Sequence, residues 1–244
     1  MRKLKKQLLA LSIATVFSGQ LFANYSQTII VEQNALLAEQ RAAFNATLDL
    51  LYKGKRERFL KAADQFRDYP LYPYLKYREY RRYIETVSKT ELEYFSQHYG
   101  DTPYADWLQR RWIKNLARQK DWETYLAEYP VGGYGDEYDC YHYWAQYKIG
   151  NREIAFQGAR KLWMVGESQS EACDPLFEVW KTTGEMFGER AWERTILAME
   201  NGKLQLAAYL ENHLENDKRP LASEWRSIYR SPERLKKVSR YQRW

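Results

Sequence analysis

A chain of 244 residues with 45% hydrophobic and 29% charged side chains is long enough and apolar enough to bury a core, which excludes a disordered chain. Only 12 glycines and 7 prolines exclude collagen and argue against a turn-rich β-sandwich, so the composition points to a globular, helical protein. The formal net charge of +6 is gathered at the two ends and does not mark a binder of polyanions.

Residues 1–23 read as a secretory signal peptide. Arg2, Lys3, Lys5 and Lys6 form a basic start, Leu8 to Phe17 an apolar stretch too short to span a bilayer, and Ala23 a small residue at a cleavage point. The alternative is a retained N-terminal anchor helix. Without this segment the chain carries 34 basic and 32 acidic side chains. Residues 218–244 hold nine basic and two acidic residues, whereas residues 24–217 are net acidic. The expected location is the periplasm, with no membrane contact after cleavage and no nucleic-acid partner.

The rest of the chain shows helical periodicity. A first helix over 27–52 presents Ile29, Ile30, Leu36, Leu37, Phe44, Leu48 and Leu51, and Gly54 ends it. A second runs through 55–67. In DYPLYPYLKYREY (68–80), Pro70 and Pro73 mark a helix start. Ser88 and Glu91 form a capping box. Thr102-Pro103 opens a longer helix with Trp107, Leu108, Trp112, Ile113 and Leu116 on one side, and Asp121 caps a short one that ends before Pro130. VGGYG (131–135) is the most flexible punctuation. Helices over 138–149 and 151–165 are broken at Gly150-Asn151, Asp174-Pro175 starts another, and 189–201 and 203–214 are broken at Gly202. Ser231-Pro232-Glu233 begins a last one, with Ile228, Leu235 and Val238 expected on an open face. No strand or hairpin signal stands out.

The expected fold is all-α: an irregular α-superhelix, or solenoid, of stacked helical hairpins over 24–244 as one domain, truncated at its C-terminal end. Its tetratricopeptide-like part is YWAQYKIGNREIAFQGARKLW, where Trp144, Ala145, Gly150, Ala155 and Ala159 allow two helices to approach closely. The alternative is a compact helical bundle.

No catalytic signature is present: no G-x-S-x-G elbow, P-loop, H-E-x-x-H or dinucleotide-binding glycine pattern. The sequence therefore yields no catalytic residue, no metal site and no cofactor. Carboxylates such as Glu85, Glu91, Glu93, Asp101 and Asp106 are read as caps and solvated faces. Two cysteines, Cys140 and Cys173, form an even pair in an exported chain and suggest a disulfide, with a redox or metal role as the alternative. The 21 tyrosines and 9 tryptophans are the unusual feature. Tyr72, Tyr74, Tyr77 and Tyr80 are candidate glycan contacts, because aromatic faces stack on sugar rings and the hydroxyl adds a polar handle. In helical repeats such residues also fill gaps between helices, and only some of these four can face inward on one helix.

The segments DYPLYPYLKYREY (68–80), LARQKDWETYLAEYP (116–130) and the block from Cys140 to Glu185 resemble the N-terminal helical region of periplasmic soluble lytic murein transglycosylases. The similarity covers roughly residues 35–210, and YPLYPYL and ACDPLFEVW are its most specific parts. The resemblance implies an α-superhelix, a periplasmic location and a Cys140–Cys173 bridge. In that family a C-terminal lysozyme-like domain, with a Glu-Ser dipeptide and a G-L-M-Q-type stretch, cleaves the glycan and leaves a 1,6-anhydro end. The present sequence has no such stretch, so it is expected to be inactive alone. Its expected function is that of a scaffold in murein turnover. The implied partners are peptidoglycan glycan strands or a lytic-transglycosylase catalytic domain. The alternatives are a free-standing periplasmic interaction protein of helical repeats and a truncated product without activity.

Overall fold

A computed structural model describes residues 32–236. The expected signal peptide and Val238 lie outside the described residues. Among the described residues every regular element is helical and no strand occurs. The helices are α1 (32–52), α2 (Arg56–Ala63), α3 (Tyr72–Arg82), α4 (Lys89–Tyr99), α5 (Pro103–Gln119), α6 (Trp122–Glu128), α7 (Asp136–Lys148), α8 (Arg152–Trp163), α9 (Asp174–Lys181), α10 (Glu189–Glu200), α11 (Leu204–Leu210) and α12 (Lys218–Arg230).

Local chemistry sets the boundaries. Ser88 accepts from the Glu91 amide while the Glu91 carboxylate accepts from the Ser88 amide at 2.8 Å, so the capping box at α4 forms as expected. The Asp121 side chain accepts from the Thr124 amide at the start of α6. Gly150, at φ 97°, takes the left-handed conformation that turns α7 back into α8, one that β-carbon-bearing residues resist.

The chain divides into two compact units. The first comprises the residues up to Tyr83 together with Ser88–Ala105. Its core gathers Phe44, Leu48 and Leu51 of α1, Phe59 and Ala63 of α2, then Phe66 and Leu75. Leu36 and Leu37, counted on the apolar face of α1, are exposed. In the same unit the Glu79 carboxylate is buried and accepts from Arg56 at 2.6 Å and Lys76 at 3.1 Å.

The second unit comprises Ile84–Val87 and the residues from Asp106 onward. Leu108, Trp112, Ile113 and Leu116 are buried on α5, and the Trp112 indole donates to the Val87 carbonyl at 3.1 Å. Trp107 departs from the expected stripe and is half exposed, because it stands about 100° around the helix from the buried Leu108. The VGGYG segment is anchored: the Asp139 carboxylate accepts from the Tyr129 hydroxyl and the Gly132 amide, both at 2.7 Å.

The core of this unit centres on α7, α8 and α9. Ala145, Ala155 and Ala159 are fully buried, as the small-residue reading of the hairpin requires. The closest approach is at Gly158, where an added β-carbon would fall inside the Tyr143 ring. Cys140 of α7 is joined to Cys173, just before α9, with α-carbons 4.7 Å apart. Trp163 meets Trp180 edge to face at 5.8 Å. Helix α12 has no counterpart among the helices expected from the sequence, although Leu221, Trp225 and Ile228 stand at helical spacing. Pro220 is tolerated in its first turn, Ala222 is buried, Trp225 packs on the core and Arg226 pairs with Glu211 at 2.6 Å. Ile228 is half-buried rather than open, whereas Leu235 is exposed.

Three measurements follow from this packing. Gly158→Ala forces the Tyr143 ring or the α8 backbone to move, and the urea midpoint is expected to fall by the equivalent of about 1–3 kcal/mol. Reducing the disulfide frees a loop with a sequence separation of 33. The chain-entropy expectation is a loss of roughly 3.5–4 kcal/mol, read as a lower melting temperature with reductant. His213 is buried and its pKa is lowered by burial, then by Lys181 and Arg194, against the opposing Tyr209 backbone and Glu178. The unfolded chain therefore takes up this proton first as pH falls. The stabilising contribution is complete above about pH 6.5 and declines below it. His213 stacks on Phe187 at 5.2 Å. His213→Phe should keep that stack and flatten part of the acid-side loss in melting temperature.

Candidate functional site: an aromatic pocket on α3 and α4

On α3, Tyr72, Lys76 and Tyr80 stand at i, i+4 and i+8 and share one face. On α4, Phe95 and Tyr99 stand at i and i+4, with Tyr94 beside them. The two faces meet to line a cavity of about 340 Å³, with Arg67 at its edge. That is within the size range of small-molecule sites. Tyr72 and Tyr99 contact edge to face at 6.2 Å, as do Phe95 and Tyr99 at 5.1 Å and Tyr80 and Phe95 at 6.0 Å. Tyr94 is 54% exposed and stacks on His98 at 3.9 Å.

The pocket joins flat apolar rings to two cations. The Lys76 ammonium lies 4.4 Å from the centre of the Tyr80 ring and is tied to Glu79. Arg67 pairs with Asp64 at 2.5 Å on an exposed surface. Burial pushes up the phenol pKa of Tyr72, Tyr80 and Tyr99, with nearby tyrosines adding to each and Arg67 opposing the shift at Tyr72 and Tyr99. All three phenols stay protonated at neutral pH and can donate as well as accept hydrogen bonds. Such a surface can stack on a pyranose face and bond its hydroxyls.

The four tyrosines singled out in the sequence are divided by the helix. Tyr72 and Tyr80 line the pocket. Tyr74 and Tyr77 lie on another face of α3 and meet Tyr104, with ring centres 5.7 Å and 5.2 Å apart. Arg78 sits over the Tyr74 ring at 5.6 Å and bonds the Tyr52 hydroxyl. Sequence reasoning missed Tyr94, Phe95, Tyr99, Arg67 and Lys76. The i, i+4, i+8 spacing of Tyr72, Lys76 and Tyr80 was the available signal for sorting α3. Among the described residues no group of three or more His, Cys, Asp or Glu side chains could hold a metal ion.

No family profile matches the chain. Soluble lytic murein transglycosylase of Escherichia coli strain K12 is 35% identical over 166 residues, which is 68% of this chain and 26% of the relative. The Salmonella typhimurium protein of the same name is 34% identical over 157 residues, 64% of this chain and 24% of the relative. The chain is homologous to the N-terminal superhelical region of soluble lytic murein transglycosylases. It spans about a quarter of the length of these curated relatives. Solved structures agree. The 70-kDa soluble lytic transglycosylase of Escherichia coli superposes with a TM-score of 0.66 at 32% identity, over 80% of this chain and 32% of that one. An inactive mutant of lytic transglycosylase Slt from Pseudomonas aeruginosa gives 0.71 at 31% identity, over 82% and 32%. A complex of the 70-kDa enzyme with bulgecin A matches with a TM-score of 0.66 and 32% identity, over 80% of this chain and 32% of that one. The all-α fold expected from the sequence is therefore that of the transglycosylase helical superhelix.

Proposed function

We propose that this chain acts in the periplasm as the helical scaffold of murein turnover, holding glycan strand through the α3–α4 pocket while bond cleavage belongs to a lytic-transglycosylase catalytic domain. The observation that carries the proposal is the coincidence of sequence and fold with soluble lytic murein transglycosylases over most of the chain. The basic, apolar start of the sequence supports export. No helix among the described residues is long and apolar enough to cross a membrane.

The division of labour rests on chemistry. Protonating a glycosidic oxygen needs a carboxylic acid in a shaped cleft, within hydrogen-bond reach of that oxygen. The buried carboxylates among the described residues are Glu79 and Asp139, and both are committed elsewhere. Glu79 is held by Arg56 and Lys76, and Asp139 fastens the 131–135 loop through Tyr129 and Gly132. The pocket itself offers phenols and cations.

The test is co-sedimentation of the purified chain with murein sacculi, followed by chromatography of the supernatant. Weak, saturable binding is expected without release of 1,6-anhydro-muropeptides. Tyr94→Ala, at an exposed position, should weaken that binding by about 3–10-fold, the range expected for one lost stacking contact. Anhydro products above a buffer control would overturn the division of labour. Unchanged binding by Tyr94→Ala would remove the pocket from it.

A further inference from the structure

The second unit contains a separate cavity of about 600 Å³, lined by residues of α8, α9, α10 and α11 and of the connection before α9. Its unusual member is Arg194, which is only 3% exposed. The guanidinium donates from Nε to the Val165 carbonyl at 3.2 Å and from Nη2 to the Glu167 carbonyl at 3.1 Å, and it lies over the Trp163 ring at 4.5 Å. These contacts orient the group without neutralising it, and no carboxylate pairs with it among the described residues. Burial lowers its pKa to about 10, so it remains a cation at neutral pH. Buried charges are ordinarily paired, because desolvation is costly without a counter-ion.

A second cation faces the same space. Lys181 lines the cavity, is half-buried and makes no ion pair among the described residues. Lys181 on α9 and Arg194 on α10 are both among the residues that line this cavity. Phe177 and Tyr209 supply aromatic wall, and Asp174 and Glu178 stand exposed at the rim.

We propose that this cavity binds a small carboxylate-bearing organic ligand, its anionic group seated between Arg194 and Lys181 and its ring or short aliphatic body against Phe177 and Tyr209. The volume suits a small organic molecule and is wasteful for an inorganic anion. The free edge of an oriented guanidinium matches a carboxylate. The rim acids would repel a phosphate dianion more strongly than a singly charged carboxylate. The site stands on its own geometry. The choice of a sugar acid as first probe rests on the murein reading, since N-acetylmuramic acid is a carboxylate on an acetamido sugar.

Isothermal titration of the purified chain tests this with four probes: N-acetylmuramic acid, N-acetyl-D-alanyl-D-alanine, neutral N-acetylglucosamine and inorganic phosphate. Binding of either carboxylate is expected, and which one binds tells whether the source is a sugar acid or a peptide terminus. N-acetylglucosamine and phosphate should bind at least tenfold more weakly. Lys181→Ala should weaken the bound carboxylate about tenfold, and Arg194→Gln should abolish its binding. Arg194 also supports two backbone carbonyls, so if Arg194→Gln fails to fold, Lys181→Ala decides the matter. N-acetyl-D-alanyl-D-alanine carries no sugar ring for the α3–α4 pocket to stack on, so its titration separates failure here from failure of the glycan-contact reading. Equal binding of the neutral sugar, no binding of either carboxylate, or full binding by Lys181→Ala would overturn the proposal.

Discussion

The second unit depends on how closely α7 and α8 can approach. Gly158 leaves room for the Tyr143 ring to lie on the α8 backbone, and Ala145, Ala155 and Ala159 keep the rest of the seam thin. A helix of 12 or 13 residues is marginal alone and gains its stability by packing against a neighbour. The thin seam provides that burial. It also leaves the larger side chains, Leu162 and Trp163, at the end of α8 to form the floor on which Trp180 and Arg194 rest. The disulfide fastens α7 to the start of α9 across the same core.

Charge is then placed where packing permits it. Among the described residues, three buried acidic or basic side chains receive three different treatments. Glu79 is paired with two cations from nearby turns, which makes it part of the framework. Asp139 accepts from a phenol and an amide on one oxygen, which ties the glycine-containing loop to α7. Arg194 is oriented by carbonyls and an aromatic face and keeps its charge uncompensated beside a cavity. The first two arrangements are closed, whereas the third is open to an added partner. The same contrast separates the tyrosines of α3: Tyr74 and Tyr77 are engaged with Tyr104, while Tyr72 and Tyr80 border open space.

Much of this was legible in the sequence, because helix ends are written in local chemistry. The Ser88 box, the Asp121 cap, Pro103 and the Gly150 turn lie where their residue types require. The resemblance carried by YPLYPYL and ACDPLFEVW agrees with the homology to soluble lytic murein transglycosylases. What was not legible depends on partners distant in sequence. Neither Arg194 nor Glu79 stands out in the sequence, since nothing nearby announces the Val165 carbonyl or Arg56. Helix α12 was overlooked although Leu221, Trp225 and Ile228 repeat at helical spacing, and it is held by the Arg226–Glu211 pair and the packing of Trp225. Trp107 looked like core because periodicity counts apolar residues, and its place about 100° around the helix from the buried Leu108 leaves it half exposed. The α3–α4 pocket needed two helices to be brought together, and only the α3 half of its spacing could be read in advance.

The central claim is that the chain holds murein glycan through the aromatic surface of α3 and α4. Hydrogen exchange with a soluble, uncut glycan strand tests it most directly, because it reports where protection appears without presuming which side chains are involved. The account predicts added protection in the peptides covering 72–82 and 89–99. Protection confined to other helices would contradict it.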